Sequence, residues 1–279
     1  MGKPDREIKP GPVPADVIKY FGSKGLVPSF SYLDVWNEQH AFAFTFSKAM
    51  RHDLLAAMQD SLAQAIADGT PFEAWKKELK PKLQELGWWD KHTVKDPLTG
   101  EKTTINPPSR LWRIFDTNLR SARAAAQFER IQRQKKVRPY LLYTLGPSLR
   151  HREQHVAWAG TLLPVDDPFW QVAMPPNGYG CLCSVRSVSH AEYEELKETG
   201  IQSPTAEPIL DDEGNPTGHV KMERIPVRTE APKLVPIIYT NKRTGQTATG
   251  YEGIPPEFAF NPYTARQKAL AEAKQKAGT

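Results

Sequence analysis

Proline limits what this chain can fold into more than any other residue does. The 279 residues include 25 prolines, and each one fixes its own backbone φ angle and lacks the N–H that helices and sheets use. Long helical bundles are therefore not expected outside the first third of the chain. The hydrophobic fraction of 39% is that of a globular protein. The length suits one large or two modest domains, and two is the working count.

Periodicity and composition divide the chain into parts. Residues 1–30 are rich in Pro, Gly and charge and predict an extended arm. Residues 31–94 predict a helical region, because apolar residues recur at three- and four-residue steps. The turn-rich stretch 95–109 is the predicted main boundary, residues 108–200 predict a mixed domain, and residues 201–279 predict a β-hairpin-rich tail with a terminal helix. The predicted fold class is α+β, with an N-terminal helical region, a central mixed α/β domain and a Pro-rich, β-containing C-terminal tail.

Local signals place individual elements within these parts. Residues 31–46 have a helical pattern. In the "TPFE" motif at residues 70–73, Thr70 is the predicted N-cap of another helix and Glu73 completes a capping box. The aromatic and aliphatic residues 139–145 predict a strand, and Ser189 is the predicted cap of a short helix.

Positive charge is concentrated in one segment. Between residues 110 and 152 there are eleven Lys and Arg against two acids, Asp116 and Glu129, which gives that segment a net charge of +9 in a chain of net +5. Its first half predicts a helix with one apolar face, formed by Leu111, Phe115, Leu119, Ala122 and Ala126. The candidate DNA- or partner-binding residues of this segment are Arg113, Arg120, Arg123, Arg130, Arg133, Lys135, Lys136 and Arg138.

Two interpretations of the basic side chains remain open from the sequence. They can form an ordinary solvated helix face, which is where charged residues usually lie. They can also bind an anionic partner, either DNA phosphates or an acidic protein. No helix-turn-helix or zinc-finger pattern is present, so base-specific readout is not predicted.

Candidate chemistry is concentrated in residues 150–185. This block contains His151 and His155 four residues apart, and the only two cysteines, Cys181 and Cys183. Two imidazoles and two thiolates suit tetrahedral zinc, which is the one cofactor that the residues suggest. A smaller set of His155 with the two cysteines is the second possibility. The cysteines can also be small buried core residues, since free cysteine is among the most buried residue types.

Enzymatic alternatives use the same block. A nucleophilic cysteine would need His155 as its base, with Asp166 or Asp167 as the orienting group. A metal-dependent nuclease or hydrolase would place His155 and one of these aspartates around a metal ion. The "HREQH" stretch fails the zinc-protease pattern, because Arg152 stands where that pattern needs glutamate. We predict no catalytic residues, and a turn-capping role for the aspartates.

Localisation signals are absent from the printed sequence. No apolar stretch reaches the roughly 18 to 20 residues that span a bilayer, and the first residues lack the apolar core of a signal peptide. Two cysteines cannot form the disulfide framework of a secreted domain. These observations predict a soluble, intracellular protein with reduced thiols and no membrane partner.

The block at 150–185 also carries a family resemblance. Arg150, Arg152, His155 and Gly160, followed by "PVDDPFW" and "PPNGYGCLC", resemble the head-morphogenesis domain of the Mu F-like minor head proteins of tailed bacteriophages. The "FDTNLRSARAAAQFER" helix and the "GYEGIPPEFAFNP" segment extend the resemblance over residues 15–265. The chain departs from the family pattern in having Leu182 where an arginine is usual, His151 where many relatives have threonine, and Asp116 where arginine is common.

This resemblance implies a function and partners. It implies a non-enzymatic, low-copy capsid protein, encoded beside the portal, that enters the prohead during head morphogenesis. The implied partners are the portal protein, the scaffold or the major capsid protein, and double-stranded DNA in some relatives. The implied location is the host cytoplasm during assembly and then the interior of the virion capsid. Among the candidate metal ligands, His155, Cys181 and Cys183 fit the family pattern better than His151 does.

Overall fold

The structure is a computed structural model that describes residues 13–148 and 150–277. It confirms the predicted α+β class. The helices are α1 Ala15–Gly22, α2 His52–Asp68, α3 Phe72–Glu85, α4 Leu111–Gln134, α5 Glu153–Trp158, α6 Phe169–Val172, α7 His190–Thr199 and α8 Pro262–Ala277. The strands are β1 Gly25–Leu26, β2 Ala43–Phe44, β3 His92–Lys95, β4 Lys102–Ile105, β5 Tyr140–Thr144, β6 Leu162–Pro164, β7 Ser184–Val188, β8 Ile201–Leu210, β9 Pro216–Ile225, β10 Pro236–Thr240 and β11 Thr247–Tyr251. Short 3-10 helices lie at Tyr32–Asp34, Asn37–Ala41, Pro107–Arg110 and Pro256–Phe258.

The first core is formed by α1, α2, α3 and the first half of α4. Helix α1 packs against α2 and α4 and buries Val17, Tyr20 and Phe21. The prediction of an extended arm over residues 1–30 is therefore corrected for the described part of that segment, while residues 1–12 lie outside the described residues. The apolar side chains of α1 have the spacing of one helix face. The high proline content of residues 1–30 outweighed this pattern in the prediction.

Two further local predictions in the N-terminal region are corrected. Residues 31–46 form two 3-10 turns and strand β2 instead of a regular helix, because Ser31 and Trp36 each begin a separate short turn. Helix α3 has Pro71 as its N-cap, without a side-chain cap, so Thr70 does not cap it.

The predicted boundary at 95–109 forms a hairpin and a 3-10 turn. Strands β3 and β4 pair in antiparallel fashion across the turn that follows Asp96. The first core continues across this hairpin, since it includes Ile105, Leu111, Ile114 and Phe115 together with the helices before them. The apolar face predicted for α4 is confirmed at four positions: Leu111, Phe115, Ala122 and Ala126 are buried, and Leu119 is partly buried.

The second core lies around a three-stranded sheet of order β6-β5-β7, with antiparallel pairing on both sides of the central strand. Strand β5 confirms the strand predicted at residues 139–145, and its side chains at Leu141 and Tyr143 are fully buried. Helix α4 contributes Phe128 and Ile131 to this core. One helix therefore connects the two cores.

The C-terminal part of the chain returns to both cores. Strands β8 and β9 form a long ribbon, and β10 and β11 form a second hairpin, as predicted. Ile254 and Phe258 are buried in the second core. Helix α8 packs against α4 and against the 3-10 helix Asn37–Ala41. Within residues 13–148 and 150–277, no helix has both the length and the apolar character needed to cross a membrane.

Candidate functional site

The candidate site is built from two segments that flank the central sheet. Helix α5 begins after Arg152 and turns His155 toward the interior. The two cysteines lie on the loop that enters β7, after a turn containing Pro175 and Pro176, whose peptide bond is cis. Arg152 fastens this turn, because its guanidinium donates a hydrogen bond to the carbonyl of Tyr179 at 2.9 Å.

The structure brings together three of the four predicted metal ligands. The Nδ1 atom of His155 lies 3.7 Å from the sulfur of Cys181 and 3.6 Å from the sulfur of Cys183. The donor atoms of all three side chains lie within 4.8 Å of one another. The side chains are closed off from solvent, with exposed fractions of 2%, 3% and 8% for His155, Cys181 and Cys183.

The orientation of the His155 ring is fixed from its other side. Nε2 lies 3.1 Å from the carbonyl oxygen of Gly253. A carbonyl only accepts hydrogen bonds, so Nε2 carries the proton, and in the neutral ring the lone pair is on Nδ1. The ring also stacks on Trp158, with ring centres 5.4 Å apart. The lone pair of His155 is therefore directed toward the two sulfur atoms.

The two thiols influence each other electrostatically. The hydrogen bond from the Cys183 thiol lowers the pKa of Cys181. The pKa of Cys183 is raised, because ionising it would place a second negative charge beside the first in a buried site.

Close approach of the backbone positions the cysteine loop and the C-terminal segment. A Cβ atom on Gly146, directly after β5, would lie 2.1 Å from the carbonyl oxygen of Leu182. At Gly253, φ is +81°, and a Cβ atom would lie 2.7 Å from the side chain of Gln154. Sequence reasoning missed both glycines, because their importance depends on contacts between segments distant in the chain.

The remaining candidates of the block lie outside the cluster. His151 directs Nε2 to the carbonyl of Gly146 at 2.9 Å and is not part of the group of donor atoms, so its inclusion among the ligands is corrected. Asp167 accepts a hydrogen bond from the N–H of Phe169 at 2.8 Å, which is the predicted turn-capping role. Asp166 is exposed and forms an ion pair with Lys135. Neither aspartate joins His155 in a catalytic arrangement.

Ion pairs within the molecule occupy much of the predicted basic surface. Arg120 binds Asp116 at 2.7 Å, and Arg130 binds Asp16 at 2.6 Å. The other pairs are Arg133 with Glu129 and Asp16, Lys135 with Asp166, and Arg138 with Glu192. Arg113 lies over the ring of Tyr179. Among the described residues, Arg123 and Lys136 are exposed and have no acidic partner.

A cavity of about 370 Å³ lies between the N-terminal region and the segment around Phe258. It is lined by Lys24, Arg110, Arg113 and Glu257 among others. Nη1 of Arg110 and Oε2 of Glu257 are buried without hydrogen-bond partners in the described residues. No motif in the sequence predicted this cavity, because its charged residues come from three distant segments.

The sequence is similar to a known family and to two curated proteins. The model of the family described as Phage Mu protein F like protein matches residues 56–186. The capsid assembly protein F of Escherichia phage Mu is 33% identical over 190 residues, which are 68% of this chain and 43% of that protein. The Mu-like prophage FluMu F protein of Haemophilus influenzae is 34% identical over 203 residues, which are 71% of this chain and 48% of that protein.

The matched region begins within α2 and ends within β7, and it therefore contains the His155, Cys181 and Cys183 cluster. The chain spans about half the length of these curated relatives. No solved structure matches it. From the family match and the two relatives, the chain belongs to the family of Mu protein F-like phage proteins.

Proposed function

We propose that this chain is a structural component of bacteriophage head assembly, acting as a minor head protein. The observation that carries the proposal is the similarity to a capsid assembly protein of phage Mu, at 33% identity over 68% of the chain. We propose that it works in the host cytoplasm during assembly and remains in the capsid interior, where the portal protein, the scaffold or the major capsid protein is its partner.

The geometry of the site supports a structural role over the hydrolase alternative. A hydrolase needs a reactive group that substrate can reach, together with a positioned acid or base. The His155 cluster is closed to solvent, and Asp166 and Asp167 are used in an ion pair and a turn. We therefore assign the cluster to stability and the function to the surfaces of the molecule.

The basic helix α4 is the surface that we propose for DNA or an acidic protein partner. Arg120, Arg130 and Arg133 already have carboxylate partners, so an incoming phosphate has to compete with them. Arg123 and Lys136 have no such competitor and give the largest gain on meeting an anion. A modest, salt-sensitive contact fits this charge distribution better than a dedicated DNA-binding site does.

The test of the proposed function is an in-frame deletion of residues 56–186 in the phage genome that encodes the chain. We expect loss of infectious particles and malformed or empty heads by electron microscopy. The full chain, supplied from a plasmid, should restore both. A normal yield of DNA-filled, infectious particles from the deletion phage would overturn the proposal.

A further inference from the structure

We propose that His155, Cys181 and Cys183 bind one zinc ion, which fastens helix α5 and the C-terminal segment around Gly253 to the cysteine loop. This inference goes beyond the proposed function, since it concerns how the molecule is held together. It does not depend on which partner the surfaces bind.

The distances between the nitrogen and the two sulfur atoms are close to those around a zinc ion. Zinc binds thiolate sulfur at about 2.3 Å and imidazole nitrogen at about 2.0 Å, and at the tetrahedral angle these lengths put nitrogen and sulfur about 3.5 Å apart. The two observed distances from Nδ1 of His155 are 3.7 Å and 3.6 Å. All three donor atoms also lie within 4.8 Å of one another, so one ion can lie between them.

A thiol–imidazole hydrogen bond explains this geometry less well. The ring is held with its Nε2–H toward Gly253, which leaves one lone pair on Nδ1, and one lone pair accepts a hydrogen bond from one thiol. Two sulfur atoms nevertheless lie at nearly equal distances from that nitrogen. A bound cation accounts for both sulfurs at once. A metal-binding histidine usually donates the N–H of its other ring nitrogen to a carbonyl or carboxylate, as His155 does to the carbonyl of Gly253.

A cation fits the electrostatics of this closed site. The side chains of Cys181 and Cys183 are buried, and two thiolates in a buried site require a cation between them.

The fourth ligand of a tetrahedral ion comes from an oxygen atom or a water. The hydroxyl of Tyr143 in β5 and Oδ1 of Asn177 in the turn before Cys181 are buried and have no hydrogen-bond partner among the described residues. A zinc-bound water or direct coordination would satisfy one of them. Because the site is closed to solvent, substrate has no access to the ion, and the class of site is structural.

Metal analysis of the full chain tests this proposal. The protein is purified without chelator, supplied with zinc, passed through a desalting column and analysed for metal by mass spectrometry. We expect one zinc per chain in wild type and in the control His151→Gln, whose ring lies outside the cluster. We expect none in Cys181→Ser combined with Cys183→Ser. Folded wild-type protein that retains no zinc would overturn the inference.

A second measurement avoids reliance on variants that fail to fold. Wild-type protein is stripped with a chelator and given Co²⁺, and its visible spectrum is recorded. Tetrahedral thiolate ligation should produce sulfur-to-cobalt charge-transfer bands and strong ligand-field bands, whereas a spectrum of octahedral aqueous cobalt would overturn the site. Hydrogen exchange then tests whether the bound ion holds the C-terminal segment around Gly253 in place. Chelation should speed amide exchange in residues 251–260, and unchanged exchange there would overturn that part of the proposal.

Discussion

Burial of a single lysine should make the stability of this protein depend on pH in a predictable direction. Lys24 is only 8% exposed, and its ammonium group donates a hydrogen bond to the carbonyl of His40 at 2.8 Å. No carboxylate of the described residues forms an ion pair with it. Desolvation, and secondarily the charge of Arg266, lowers the pKa of Lys24 from 10.5 to about 7.

The sign follows from proton binding in the two states. Between pH 7 and pH 10.5 the unfolded chain holds a proton on Lys24 that the folded chain has released, so the free energy of unfolding rises with pH. One titrating proton gives a slope of about 1.4 kcal/mol per pH unit. Between pH 7.5 and 9 the gain is therefore about 2 kcal/mol. Below pH 7 the proton is bound in both states, and this dependence disappears.

The neighbouring groups do not titrate in that window. Burial, and then the charge of Lys24, lowers the pKa of His40 to about 4. The pKa of Tyr20 is raised by burial, and Arg266 stays charged. Lys24 is therefore the one group of this set that changes charge between pH 7.5 and 9.

The assay compares wild type with Lys24→Met by urea unfolding, followed by tryptophan fluorescence at pH 7.5 and 9. Methionine keeps the length of the side chain and removes the charge, so it should be the more stable protein at pH 7.5. Its advantage should shrink by about 2 kcal/mol at pH 9. Lys19→Met, at an exposed position, should track wild type. Parallel pH dependences of wild type and Lys24→Met would refute the reasoning.

Two further predictions concern the cysteine loop and the basic helix. Gly146→Ala should lower the midpoint of urea unfolding far more than Gly22→Ala does. A Cβ atom at Gly146 would lie 2.1 Å from the carbonyl oxygen of Leu182, whereas a Cβ atom at Gly22 would have no neighbour within 4 Å. Equal midpoints for the two variants would contradict the close approach at Gly146. Arg123→Glu should weaken binding of a double-stranded DNA oligonucleotide and reduce its salt dependence more than Arg133→Glu does, as measured by fluorescence anisotropy, because Arg133 is already paired with carboxylates. Unchanged DNA binding by Arg123→Glu would show that this face of α4 is ordinary solvated surface.

The sequence predicted elements whose signals are local. The apolar face of α4 and the cap at Ser189 follow from spacing within one turn or a few turns, and the structure has both, with the Ser189 hydroxyl accepting from the N–H of Glu192. Helix α1 was missed, because the interpretation of residues 1–30 weighted proline and charge above three apolar residues on one face. Its stability comes from α2 and α4, which no local signal reports.

The candidate site, too, was predicted from the sequence only in part. His155 and the cysteine pair were found because their residue types and spacing already suit a soft metal. The hydrogen bond to Gly253 joins residues 98 positions apart, so sequence reasoning could not find what orients the imidazole. His151 shared the local signal and was included wrongly, since spacing alone does not show that its ring turns to Gly146.

The return of the C-terminal segment to the second core affects the order in which the molecule can fold on the ribosome. Ile254 and Phe258 pack against β5 and α6 residues made about a hundred positions earlier. The first core can form from residues up to Ala126, but the second stays open until the segment after β11 has been synthesised. During that interval the apolar faces of the nascent central sheet are exposed, so this half of the protein is the more prone to aggregation before its synthesis is complete.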